Sequence, residues 1–240
     1  MNIIKFDTVD STNNVAKRLA LQGADEGCIV LADRQTCGRG RTGKHFHSPE
    51  GGIYMSIVLR PSFSAPDARL ITTAAAVAVC RVLERRTGDS FDIKWVNDIY
   101  KNGRKVCGIL TESAPGKNGG LEWAVLGIGI NLFPDGTPLP DELKGIVGYV
   151  YPAETPTDKA ALAGEVAEEF LAIYPTITDR LFADEYRRRM FLTGKTVTVI
   201  KDGCELSAEV LGTDGDLRLL VRFGDGNETA LGAGEVSIKL

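Results

Sequence analysis

The chain has 240 residues, 43% hydrophobic and 25% charged, an ordinary globular composition. A net charge of −4 argues against a general nucleic-acid or membrane-surface binder. Five scattered cysteines without a C-x-x-C pair or Cys/His cluster indicate neither a disulfide framework nor a zinc site, and no apolar run approaches a membrane span, so a reduced cytoplasm is the expected setting.

Ile3 to Phe6 predicts a strand, and Asp10 or Ser11 can cap a helix to about Leu21, with Val15, Ala16, Leu19 and Ala20 on one face and Gly23 as a stop. Cys28 to Ala32 and Ile53 to Leu59 are apolar strands on either side of a Gly/Arg-rich loop. A long helix is expected from Ser64 to Gly88, with Leu70, Ile71, Ala74, Val77, Ala78 and Leu83 as its buried stripe. Strands follow at Phe91 to Trp95, Ile99 to Lys101 and Arg104 to Thr111, the last two joined by Asn102-Gly103, a strong hairpin signal. Leu121 to Asn131 is another apolar strand, and the stretch to Thr157, with five prolines, is a loop.

Two helices are then expected, Asp158 to Ile173 and Leu181 to Met190. From Thr193 short β segments (Lys195 to Ile200, Glu205 to Leu211, Leu217 to Val221, Thr229 to Leu231, Val236 to Lys239) alternate with turns at Asp202-Gly203 and Asp214-Gly215. That spacing suggests a small SH3-like barrel. The expected organisation is therefore a domain over residues 1–192 followed by a small β domain over 193–240.

Gly38-Arg39-Gly40-Arg41-Thr42-Gly43-Lys44 matches both G-x-G-x-x-G and most of a P-loop. Both motifs need a helix directly afterward to receive the phosphate, and here Pro49, Gly51 and Gly52 follow instead. No acid occurs between Asp33 and Glu50, while Arg34, Arg39, Arg41 and Lys44 do. Forked, permanently charged guanidinium groups on a glycine-rich segment suit phosphate oxygens, so the loop is expected to be mobile when empty and to order over a bound nucleotide. A solvated surface loop is the alternative.

Lys94-Trp95-Val96-Asn97-Asp98 precedes the hairpin and Arg104-Lys105-Val106-Cys107-Gly108-Ile109-Leu110 follows it. Strict alternation places Lys105 on the face of Cys107 and Ile109, and Gly108 opposite, where a ligand or backbone can approach closely. Gly127 and Gly129, alternating before Asn131, leave space beside the sheet for a flat ring. Each of these residues has a plain structural alternative: a solvent-facing lysine, a turn cap, a core tryptophan.

The order of the pieces resembles the biotin–protein ligases: Asp10-Ser11-Thr12-Asn13, Gln35 ahead of Gly38 to Gly43, Lys94 to Asp98, Lys105 to Leu110, and Gly127 to Asn131. The resemblance implies an α+β fold, a mixed sheet flanked by helices and related to class II aminoacyl-tRNA synthetases and lipoate ligases, with the small SH3-like C-terminal domain. It implies that Ser11, Thr12, Asn13 and Gln35 contact biotin, that Arg39-Gly40-Arg41 closes over the adenylate, that Lys105 meets the biotin carboxylate and the phosphate, and that Asn131 faces the adenine. Lys94, Asn97 and Gly108 join these as candidate binding residues, and Lys105, Arg39, Arg41 and Asp98 as candidate catalytic ones.

Val96 stands where many members have proline, and His45-Phe46-His47 where others often carry a tryptophan. Some members add an N-terminal helix-turn-helix and repress transcription; the matching segment here begins almost at Met1, so the ligase-only form is expected. The implied activity uses ATP, biotin and Mg²⁺ to form biotinyl-5′-AMP and passes biotin to a lysine of a biotin carboxyl carrier protein. Asp98 is a candidate proton acceptor or metal contact in the second step, with solvent an equal alternative. A homodimer is left open; DNA and membrane are not expected partners. A lipoate–protein ligase and a non-enzymatic anion- or partner-binding module are the rival readings.

Overall fold

Period-two alternation of apolar residues builds the main sheet, because successive side chains of a strand point to opposite faces. The computed structural model describes residues 2–201, 203–233 and 237–239. Its seven-stranded sheet contains β1 (Ile3–Val9), β2 (Ile29–Gln35), β3 (Gly52–Leu59), β4 (Asp92–Lys94), β5 (Asp98–Lys101), β6 (Arg104–Pro115) and β7 (Leu121–Asn131), in the order β1-β2-β3-β7-β6-β5-β4. β1 and β2 run parallel, and the other neighbours antiparallel.

Ile53, Met55, Ile57 and Leu59 of β3, with Leu126, Ile128 and Ile130 of β7, turn to one face. There they pack beneath α2 (Arg69–Thr87), α3 (Lys159–Ile173) and α4 (Ala183–Arg189). Burial of α2 is wider than the predicted stripe: Thr73, Ala75, Ala76, Val79, Cys80 and Val82 are buried as well, since the helix is covered by the sheet on one side and by α3 and α4 on others. It also begins later than Ser64, because Ala65–Ala68, with Pro66 at its start, forms a tight 3₁₀ turn first. Gly88, in the left-handed region at φ 74°, ends it. Asp158 caps α3 by accepting from the Ala160 and Ala161 N–H groups.

On the opposite face α1 (Thr12–Leu21) buries Val15, Ala16 and Ala20 against Val30, Val58 and Val125. It lies over β2, β3 and β7. Beyond it the same face carries Gly127 and Gly129 of β7 and, across the ladder, Leu110 and Gly108 of β6.

The C-terminal segment forms an antiparallel sheet in the order β11-β10-β9-β8-β12, from β8 (Thr196–Lys201), β9 (Cys204–Thr213), β10 (Leu219–Phe223), β11 (Glu228–Leu231) and β12 (Ser237–Lys239). Asp202 of the predicted turn and Val236 of the last predicted strand lie outside the described residues. Val197, Val199, Val210, Leu219 and Val221 join the main core. The Trp95 indole N–H donates to the Leu217 carbonyl at 3.0 Å, and Arg180 pairs with Asp216 at 2.9 Å. These contacts clamp the C-terminal sheet directly behind the Lys94 to Asp98 segment.

Candidate active site

One end of the glycine-lined face is a neutral hydrogen-bond cluster. Thr12 opens α1, and its backbone N–H and hydroxyl both donate to Gln35 Oε1, at 2.8 and 3.1 Å. Ser56 is fully buried and lies within 2.8 Å of Thr12 Oγ1 and 2.7 Å of Asn13 Oδ1, so its single proton serves one or the other. Gln35 Nε2 donates to Ser48 Oγ at 2.9 Å, and that hydroxyl donates to the Phe46 carbonyl at 2.8 Å. Ser11 precedes the helix in extended backbone; it is buried, and its hydroxyl does not cap the helix. A Cβ at Gly127 would come within 2.1 Å of Asn13 Oδ1, so only glycine lets the cluster lie this close to β7.

The other end is cationic. Lys94 on β4, Lys105 on β6 and Arg41 from the loop surround Asp98, which pairs with Lys94 and Gly108 across the ladders. Lys105 Nζ stands 2.7 Å from Asp98 Oδ1, an ion contact whose angle leaves that buried oxygen without a directed hydrogen bond. Arg41 donates to Asn97 Oδ1 at 3.1 Å and to the Ala233 carbonyl, and Asn97 in turn donates to the Ile109 carbonyl at 2.9 Å. Burial lowers the Lys94 ammonium below its ordinary value; Asp98 opposes this, while Lys105 and Lys44 add to it. Burial lowers Arg41 as well, against the pull of Asp98.

Lys105 does not share a face with Cys107 and Ile109, as strict alternation predicts. Tyr100 pairs with Lys105 and Ile99 with Cys107, so Val106 is the extra residue of a β-bulge. The bulge returns Lys105 to the face of Gly108, its Cε and Nζ lying 3.2 and 3.3 Å from where a Gly108 Cβ would be. Cys107 and Ile109 are core.

The Gly/Arg loop folds as a small hairpin. Gly40 N–H donates to the Lys44 carbonyl at 2.7 Å and Phe46 N–H to the Gly38 carbonyl at 2.9 Å, with Thr42 and Gly43 at φ 53° and 74° forming its tip. The hairpin lays the Phe46 ring on Gly108 and Gly129, where added Cβ atoms would approach it to 2.9 and 2.5 Å. The flat ring beside the alternating glycines is thus, in this structure, the chain's own phenylalanine. Lys105 Nζ stands 5.8 Å over that ring, within cation–π range.

Arg39 and Arg41 part company. Arg39 reaches the opposite end of β6, donating to Glu112 at 2.9 Å and to Asn14 at 3.0 Å, so Arg41 and Lys105 share the Asp98 neighbourhood without it. Glu112 lies four residues beyond Gly108 on the same strand face and draws Arg39 away. Asn131 donates to the Lys105 and Gly148 carbonyls at 3.4 and 3.2 Å, pinning the proline-rich loop to β6. A hollow of about 530 Å³, lined by Gln35, His47, Ser48 and Asp135 among others, opens at the neutral end. Another of about 240 Å³ opens beside Arg41, Leu110 and Thr111.

Three further residues of this site leave a mark in the sequence. Ser56 is a lone polar residue in an apolar strand, Glu112 an acid in phase with Gly108, and Phe46 an aromatic inside a Gly/Arg loop.

The family model described as the biotin/lipoate A/B protein ligase family matches residues 5–131, more than half of the chain. The chain belongs to the biotin/lipoate A/B protein ligase family. The bifunctional ligase/repressor BirA of Bacillus subtilis is 43% identical over 146 residues, 60% of this chain and 45% of that protein. A biotin–[acetyl-CoA-carboxylase] ligase of Paracoccus denitrificans is 38% identical over 169 residues, 68% of this chain and 65% of that protein. The chain thus spans less than half of the Bacillus relative. The biotin protein ligase of Aquifex aeolicus, solved in complex with biotin and ATP, superposes with a TM-score of 0.83 at 27% identity, covering 99% of this chain and 98% of its own. The mixed sheet, flanking helices and small C-terminal sheet are therefore the architecture of a biotin protein ligase, and ligase is the family's chemistry.

Proposed function

We propose that this chain activates biotin with ATP to biotinyl-5′-AMP and transfers the biotinyl group to a lysine of a biotin carboxyl carrier domain, with residues 1–192 as the catalytic domain and 193–240 as its C-terminal support. One observation carries this reading: a single sheet face bears a neutral polar cluster at one end and a cation cluster at the other, separated by glycines. Biotin has that same polarity, a neutral ureido ring and an anionic carboxylate joined by an apolar tail. Thr12, Gln35 and Ser11 match the ureido donors and acceptor. A ureido group can exchange bonds with these polar groups, whereas a ligand lacking it offers them no donor or acceptor in return for their desolvation, which favours biotin over lipoate.

The carboxylate nucleophile is already ionised near neutrality, so the first step needs no general base. What it needs is relief of repulsion between a carboxylate and a triphosphate. Lys105, Lys94 and Arg41, pre-set around Asp98, supply positive charge there before the ligands arrive. Asn131 and the Lys105 backbone hold the proline-rich loop beside them. In the second step the acceptor amine must lose a proton, with Asp98, whose Oδ1 is ion-paired to Lys105 at 2.7 Å, as the candidate side-chain acceptor and solvent as the alternative.

No group of three or more His, Cys, Asp or Glu side chains able to cage a cation occurs among the described residues. A Mg²⁺ carried in on the nucleotide phosphates would have Asp98, now paired with Lys105, as its candidate carboxylate here, and would when bound neutralise phosphate charge.

The test is biotin- or lipoate-dependent exchange of pyrophosphate into ATP, followed by transfer to a carrier domain. Exchange with biotin alone is expected. Adenylate formation from lipoate and not from biotin would overturn the reading, and no exchange with either acid would favour a non-enzymatic module.

A further inference from the structure

Glu112 is not itself among the residues assigned to biotin or nucleotide, yet its carboxylate meets two of them, Asn13 and Arg39, together with Lys17. Arg39 arrives from the hairpin at 2.9 Å, Asn13 Nδ2 from the start of α1 at 2.8 Å, and Lys17 from the next turn of α1 at 2.5 Å. Its side chain is 19% exposed and that of Arg39 43%. A lone surface ion pair of that kind contributes at most about 1 kcal/mol. A carboxylate accepting from three charged or amide donors is a firmer junction, because charge-assisted bonds are shorter and roughly twice as strong as neutral ones.

From Glu112 a line of polar contacts continues, with the one Ser56 proton shared between Asn13 and Thr12. Asn13 leads to Ser56, Ser56 to Thr12, Thr12 to Gln35, Gln35 to Ser48, and Ser48 to the Phe46 carbonyl at the base of the hairpin. The path starts and ends on the same Gly/Arg hairpin and passes through Thr12 and Gln35, two of the three residues matched to the ureido ring.

We propose that Glu112 is a positioning residue: through Arg39 it latches the Gly/Arg hairpin over the sheet, and through Asn13 it orients the Thr12–Gln35 pair that meets the ureido end of the ligand. The latch rests on the biotin reading above. It couples the two ends of the site, so that a ring ordering Thr12 and Gln35 also favours the closed hairpin that retains the adenylate. Loss of the carboxylate charge should therefore act on ligand retention more than on the chemical step.

The full chain is loaded with biotin and ATP, and release of biotinyl-5′-AMP is followed by chase for wild type, Glu112→Gln, Arg39→Met and the double variant. Expected for Glu112→Gln is release faster by about tenfold, equivalent to about 1.4 kcal/mol. The KM for biotin should rise, kcat of adenylation should stay near wild type, and adding Arg39→Met should change release little further. Glu112→Asp, one methylene short of spanning Arg39 and Asn13, should release at an intermediate rate, and it replaces Gln in the cycle should that variant not fold. Wild-type release from the Glu112 variant with only a lowered Tm, or single effects that multiply in the double variant, overturns the latch. Failure of wild type to form any adenylate removes the ligase reading itself.

Discussion

Two charge clusters lie on opposite sides of the seven-stranded sheet, and they are built on different rules. On the helix side Arg81, Arg85 and Arg189 meet Glu84, Glu169 and Glu185, three cations for three anions, each in contact at 2.5 to 3.1 Å. On the glycine-lined side, among the described residues, Lys94 and Lys105, with Lys44 in electrostatic reach, face the single Asp98 carboxylate. A balanced cluster ties α2, α3 and α4 together and needs nothing further. An unbalanced one carries self-repulsion that an anionic ligand relieves, so its surplus charge marks where a ligand belongs.

The sharpest way to break this contrast is to remove one charge from each side. Lys105→Ala should depress adenylate formation by about 10²- to 10³-fold, the usual cost of losing one preorganised charge or donor at a transition state. Its Tm should stay close to wild type, because Lys94 and Arg41 still face Asp98. Unchanged pyrophosphate exchange would remove Lys105 from its role.

Arg189→Met should do the reverse. Arg189 is only 16% exposed and bonds both Glu84 and Glu185, so truncation leaves Glu84 without its cation and Glu185 with Arg81 alone, and should cost about 2 kcal/mol, less than a fully buried pair. For a chain of this length that lowers Tm by roughly 4–8 °C. Exchange activity measured well below Tm should be unchanged; a proportional loss of activity would mean the two sides are not independent.

The same contrast explains what could be read from the residues alone. Wherever burial follows a simple period the reading holds: Leu121 to Asn131 is one strand, and Asn102-Gly103 turns a hairpin with both residues at positive φ. Lys105 was misplaced because a β-bulge leaves no mark in the apolar pattern, and inserting Val106 flips every face assignment before it. The sequence assigns both loop arginines to one anion, because guanidinium groups suit phosphate oxygens and the family resemblance closes Arg39-Gly40-Arg41 over the adenylate. The hairpin instead delivers one to Glu112 and the other to Asn97, a choice decided by acceptors 73 and 56 residues away in sequence. The neutral cluster is legible at Thr12, Asn13 and Gln35, through the family resemblance; Ser56 and Glu112 enter through tertiary packing.

Acid should separate the two sides by a smaller effect. The Arg189 hydrogen bonds hold the Glu84 carboxyl below the usual carboxylate range, and although burial pushes Glu185 up, its bonds to Arg81 and Arg189 override it. A carboxyl lowered in the folded state contributes stability above its unfolded pKa and loses it as pH falls through the folded one. The wild-type Tm should therefore hold from neutrality to the upper edge of the carboxylate range and decline below it. Arg189→Met, having lost the interaction that lowers Glu84, should decline less steeply. The Tm gap between the two proteins, widest near neutrality, should close in acid when melts are compared across that range. A gap that stays constant would show that Arg189 stabilises the helices through packing of its stem and not through its charge.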